Sequence, residues 1–106
     1  MRVLFDQGTP APPRRDLPLH SVETTHERGW ATLRSGDLLR AAENAGFEVL
    51  ITTDQHLQYQ QNLAEHRIGI VVLNTTSWPR IRTATDAIAN AVARCATERF
   101  IEMSIP

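Results

Sequence analysis

Asp6, Asp37 and Asp54 stand at three places in this 106-residue chain where a carboxylate can do chemistry. Asp6 ends the apolar run Arg2-Val3-Leu4-Phe5, and Asp54 ends Phe47-Glu48-Val49-Leu50-Ile51-Thr52-Thr53. Asp37 falls in the first turn of the segment that opens Ser35-Gly36. Carboxylates that converge repel one another unless protons or cations offset their charge. Hard oxygen ligands suit Mg²⁺ or Mn²⁺, and such an ion activates water and stabilises charge on a transferring phosphoryl group. The pattern does not suit structural zinc, since it lacks thiolates and a compact histidine pair. Each aspartate also has a plain structural reading. Asp6 and Asp54 can be turn residues after strands, and Asp37 a carboxylate favoured by the positive helix terminus.

Neighbouring residues extend the set. His56, two positions beyond Asp54, is a candidate for orienting phosphate or water, set against a surface role near a helix start. Glu43, two turns into the Asp37 segment, reads as solvent-facing. Arg80 and Arg82 follow Asn74-Thr75-Thr76 and are candidates for a phosphate backbone, set against a solvated helix start. Ser77 has no serine–histidine–acid arrangement around it, and Cys95 sits in an apolar stripe rather than an activating turn. No Walker or dinucleotide signature is present.

Positioning these groups calls for alternating strands and helices. Arg2 to Asp6 reads as a buried strand. Gln7-Gly8-Thr9-Pro10 follows as a turn, with Thr9 as a candidate cap for a short or irregular helix limited by Pro12, Pro13 and Pro18. Leu19 to Thr25 reads as a polar edge strand, and His26 to Trp30 as a loop fit to cover one end of the sheet. Ser35 is expected to cap a helix with Leu38, Leu39, Ala41, Ala42 and Ala45 on its apolar surface, stopped by Gly46. The Phe47–Thr53 strand comes next, as the central one, and a helix is expected over His56 to Ala64. Arg67 to Asn74 reads as a strand buried on both faces. One helix is expected from about Pro79 to Thr97, with Ile81, Ala84, Ile88, Ala91, Val92 and Cys95 as its stripe. Phe100 to Ile105 alternates as a final, partly exposed strand.

This order predicts an α/β domain, residues 1–106, with a mainly parallel sheet covered on both faces in three α/β/α layers. Right-handed crossovers would bring Asp6, Asp54 and Asn74 to one sheet edge. A formal net charge of -1 provides no basic field for charge-driven nucleic-acid binding, though it leaves room for an enzyme that touches RNA briefly. The single cysteine excludes an intrachain disulfide. No stretch is apolar enough for a signal peptide or membrane span, so the expected location is the cytoplasm.

Three segments together, Val3-Leu4-Phe5-Asp6-Gln7-Gly8-Thr9-Pro10, Gly36-Asp37-Leu38-Leu39-Arg40-Ala41-Ala42 and Val49-Leu50-Ile51-Thr52-Thr53-Asp54, resemble the PIN-like domains of small prokaryotic proteins. The likeness is to the short family of unknown function related to the Mut7-C type. It implies a PIN-like three-layer fold with an acidic pocket and, for many members, Mg²⁺- or Mn²⁺-dependent ribonuclease activity, including that of toxins in toxin–antitoxin pairs. Carried across, it makes Asp6 and Asp54 the principal metal ligands, with Asp37 holding a second ion or a metal-bound water. It also implies an RNA substrate, an antitoxin or neighbouring-gene partner, and a homodimer. Where the related family often has a second aspartate followed by phenylalanine, this chain has His56 and Leu57. Asn74 stands where a fourth carboxylate would be sought. The alternative is therefore a catalytically inactive PIN-like binding or regulatory module, binding through the Trp30 or Trp78 region, or a small structural partner protein.

Overall fold

Runs of four or five residues set between polar turns, apolar at the centre of the sheet and polar at its Ser21–Thr24 edge, form five parallel strands. The computed structural model describes residues 1–11, 17, 20–55, 57 and 66–106, with Ser35 and Ala96 in backbone alone. The strands are β1 (Arg2–Phe5), β2 (Ser21–Thr24), β3 (Val49–Thr52), β4 (Gly69–Leu73) and β5 (Phe100–Met103), in the order β2-β1-β3-β4-β5. Every neighbouring pair is parallel, with Phe5 opposite Ile51 and Ile51 opposite Val71. β3 is thus central, every residue of β4 is buried, and the polar β2 is an edge, as expected.

The pleat sends alternate side chains to opposite faces and builds two cores. On one face Val3, Phe5, Ile51 and Val71 pack with Ile81, Ile88 and Val92. On the other, Leu4, Leu50 and Ile70 pack with Leu38, Leu39 and Ala42. The helices that cover them are α1 (Ser35–Asn44) on the second face, and α2 (Trp78–Ile81) and α3 (Thr85–Glu98) on the first. The expected α/β architecture with a mainly parallel central sheet is present.

Helix α1 begins one residue away from the expected cap: Arg34 is extended at the N-cap, and its carbonyl accepts the first helical hydrogen bond, from Leu38. Its end follows the expected glycine stop. Gly46 adopts φ 87°, the Gly46 N–H donates to the Glu43 carbonyl and the Phe47 N–H to that of Ala42. This is a Schellman closure, and it turns the chain straight into β3. The final helix is not continuous as expected. A 3-10 turn at Arg82–Ala84 separates α2 from α3, while Ile81, Ile88 and Val92 stay on the core side.

The last crossover differs in hand from the one through α1. The connections β2 to β3 and β4 to β5 step the same way across the sheet, yet α1 lies on one face and α3 on the other. Two such connections have opposite hands. The β4 to β5 connection thus differs in hand from the β2 to β3 connection. Because all five strands are parallel, their carboxyl ends still share one edge. The helices expected after Pro10 and over His56 to Ala64 fall largely outside the described residues.

Candidate functional site

The carboxyl edge carries Asp6 and Asp54 on adjacent strands. The Asp6 N–H donates to the Ile51 carbonyl (2.9 Å), which fixes the end of β1 against β3. A turn follows, closed by the Thr9 N–H on the Asp6 carbonyl (3.1 Å) with Gly8 at φ 80°, a conformation glycine adopts without strain. The Asp6 carboxylate is held at both oxygens. Gln7 N–H donates to Oδ1 at 2.7 Å, and the Thr52 hydroxyl donates to Oδ2 at 2.8 Å. The Asp54 N–H in turn donates to Thr52 Oγ1 at 3.0 Å. Thr52 is 1% exposed and links the two aspartate-bearing segments. Sequence reasoning passed it over, although a buried threonine two residues before a strand-ending aspartate has few other uses for its hydroxyl.

Burial pushes the Asp6 carboxyl above its ordinary range, the hydrogen bonds from Thr52 and Gln7 pull it down by less, and the charge of Asp54 pushes it further up. The charge of Asp54 thus reaches the Asp6 carboxyl, as the smallest of these effects. In open parallel sheets, ligands sit beyond the carboxyl ends where neighbouring strands send their connections to opposite faces. Here the described parts of two such connections, Leu17 after β1 and Leu57 after β3, pack on opposite faces, the arrangement in which a crevice forms.

Asp37 does not join them in a three-carboxylate group. It lies in the first turn of α1, 64% exposed, and pairs with Arg40 at 2.9 Å. Among the described residues no three histidine, cysteine, aspartate or glutamate side chains are grouped so as to hold a metal ion. A cage of Asp6, Asp37 and Asp54 does not fit this geometry. A pair does fit Mg²⁺ or Mn²⁺ chemistry, since Mg²⁺ keeps several waters and is commonly bound through one or two carboxylates plus substrate phosphates. His56 lies outside the described residues.

Other candidates have structural employment. Asn74 Oδ1 accepts the Ile105 N–H at 2.8 Å, and Arg80 donates to the Pro106 carbonyl at 2.9 Å and to that of Ile105. Both therefore tie down the tail after β5. Arg82 is exposed. Trp30 meets Phe47 edge-on, centroids 6.1 Å apart, beside Arg28, and Trp78 packs against the α3-side core. Cys95 is buried, and its thiol is pushed up to about 11, chiefly by burial, so it is no nucleophile at neutral pH.

Glu43 is not solvent-facing. Its side chain is 17% exposed, Oε1 meets His66 Nδ1 at 2.5 Å and Oε2 accepts the Arg67 N–H at 2.7 Å. Burial alone would raise its carboxyl. The hydrogen bonds from Arg67 and His66 and the charges of both outweigh burial and hold it below its usual range. A lowered carboxyl stabilises the fold above its unfolded-state value and loses that contribution as pH falls through the folded-state value. Glu43→Gln is expected to lower stability at neutral pH and to flatten the acid limb, as read by urea unfolding across the acid range. An unchanged acid limb would count against the assignment.

No family model matches the chain, and no curated protein or solved structure matches it either.

Proposed function

We propose that this chain is a divalent-cation-dependent phosphodiesterase acting on RNA, with Asp6 and Asp54 at its working edge. The observation that carries the reading is the placement of two carboxylates at the carboxyl ends of adjacent parallel strands, in segments joined through the Thr52 hydroxyl. RNA as substrate, and a toxin-like role with an antitoxin or neighbouring-gene partner, rest on the resemblance to PIN-like domains. Bound Mg²⁺ or Mn²⁺ would supply an activated water and offset charge on the phosphoryl group. Asp6 and Asp54 would hold the ion, and Thr52 and the Gln7 N–H keep the Asp6 carboxylate in one orientation. Asp37 has an outer place in this proposal, because Arg40 already pairs with it.

Asp54→Asn is expected to cut RNA cleavage in Mg²⁺ or Mn²⁺ by about 100-fold or more, because a lost ion ligand forfeits several kcal/mol of transition-state stabilisation. EDTA should do the same to the parent protein. Asp37→Asn, by contrast, is expected to change the rate by less than about tenfold, as a screened and exposed pair would. Equal activity in the parent and Asp54→Asn would remove Asp54 from the chemistry.

A second reading, a non-catalytic PIN-like binding or regulatory module, is favoured by one observation: both Asp6 oxygens already accept hydrogen bonds within the chain. It predicts a folded acidic edge, no metal-dependent turnover, and partner binding that survives Asp6→Asn and Asp54→Asn. Among the described residues no helix is long and apolar enough to cross a membrane.

A further inference from the structure

The opposite edge of the sheet holds a larger space. Residues just ahead of β1, β3, β4 and β5 surround a cavity of about 460 Å³, within the range of about 300–1,000 Å³ spanned by small-molecule sites. We propose that it binds a small organic anion, a carboxylate or phosphate on an apolar body, with Arg67 and Arg99 taking the charge and Phe47, Ile68 and Cys95 the body. The site is independent of the acidic pair and goes beyond the proposed cleavage.

The lining carries two carboxylates, Glu43 and Glu48, against two guanidinium groups, Arg67 and Arg99, so the bonds each already makes decide which is open to a ligand. Both Glu43 oxygens are occupied by His66 and the Arg67 N–H, and Glu48 Oε1 accepts the Arg2 N–H at 3.2 Å. Arg67 is exposed at the rim, and its guanidinium makes no hydrogen bond to a described residue. The carbonyl end of α1 would repel an anion, but Gly46, Phe47 and the Arg2 guanidinium already donate to its last carbonyls. Arg99 supplies a separate observation. It has φ 61°, the only positive value at a non-glycine among the described residues, at the end of α3 where glycine is the usual choice. Strained positions of this kind cluster at ligand sites, and this one aims a guanidinium across the rim to the His66 carbonyl.

Cys95, the chain's single cysteine, lies on the cavity wall and reports its occupancy. The test measures Cys95 labelling by a disulfide reagent in alkaline buffer, where a fraction of the raised thiol ionises, together with thermal unfolding, in hexanoate and separately in phenyl phosphate. A bound anion at about ten times its dissociation constant should slow labelling about tenfold and raise the unfolding temperature. Protection by hexanoate alone identifies a carboxylate site, and by phenyl phosphate alone a phosphate site. Arg67→Gln, at an exposed position, should abolish both effects while leaving the fold and any RNA cleavage unchanged. Failure of both anions in the parent protein, or equal protection in Arg67→Gln, overturns the proposal.

Discussion

Asp6→Asn should yield a protein that is more stable at neutral pH and at least about 100-fold less active in metal-dependent RNA cleavage. The stability half follows from burial. Asp6 has its carboxyl raised above the ordinary 3.8 by desolvation, with Asp54 adding to the effect and two hydrogen bonds only partly opposing it. A folded-state value above the unfolded one contributes stability that is fully present below the unfolded value and is lost as pH rises through the folded value. At neutral pH the parent protein bears that loss, whereas the amide does not titrate. The asparagine oxygen can still accept the Gln7 N–H and its NH₂ can donate to Thr52 Oγ1, although the Thr52 hydroxyl then loses its acceptor Oδ2, which offsets part of the gain. The stability advantage should vanish as pH falls below 3.8. The activity half follows from losing a charged oxygen ligand. A variant that gains stability and loses activity marks a residue kept for chemistry rather than for folding. Full activity in a stabilised Asp6→Asn would leave Asp6 a turn residue and sink the two-carboxylate proposal. The measurements are unfolding curves at several pH values and single-turnover cleavage on the same preparations.

How much was legible in the sequence depended on whether the signal was local. Val3-Leu4-Phe5, Val49-Leu50-Ile51 and Gly69-Ile70-Val71-Val72-Leu73 are buried strands because their apolar runs lie between polar turns, and the structure places them at the centre of the sheet. Gly46 was readable as a helix stop because only a residue at ease with positive φ closes α1 there. The break at Arg82–Ala84 was hidden, since Ile81 and Ile88 face the same core on either side of it and preserve the apolar stripe. Asp37 was readable as a first-turn carboxylate, but its pairing depended on Arg40 three residues on, a spacing that belongs to the helix surface. The Glu43–His66 pair had no local signal, because the partners are 23 positions apart and meet only after β3 and β4 align. The hand of the last crossover was equally unreadable. Both faces of β4 are buried, so its sequence does not say which face the following helix will cover.

Phe5→Ala should be the costliest single truncation in the core, at about 3–5 kcal/mol. Phe5 has no exposed surface and is the largest of the fully buried side chains. It sits in β1 between Thr24 and Ile51, and its ring belongs to the cluster that joins β1, β3 and β4 to α2 and α3. Removing the ring loses its transfer free energy and leaves a void that strands hydrogen-bonded on both sides of β1 can fill only in part. A domain of this size has roughly 5–15 kcal/mol in total, so the variant should remain folded at low temperature with its urea midpoint sharply lowered and its slope unchanged. Phe5→Leu should cost less, about 1–2 kcal/mol, because most of the volume stays. Leu33→Ala supplies the contrast. Leu33 is 36% exposed, so its removal should fall within about 0.5 kcal/mol of the parent. Phe5 also precedes Asp6, whose N–H is bonded to Ile51, so the same void lies beneath the acidic edge. Phe5→Ala should therefore weaken cleavage at temperatures where it is still fully folded, and Leu33→Ala should not. A Phe5→Ala cost below about 1 kcal/mol would show that this face of the sheet is not the principal core.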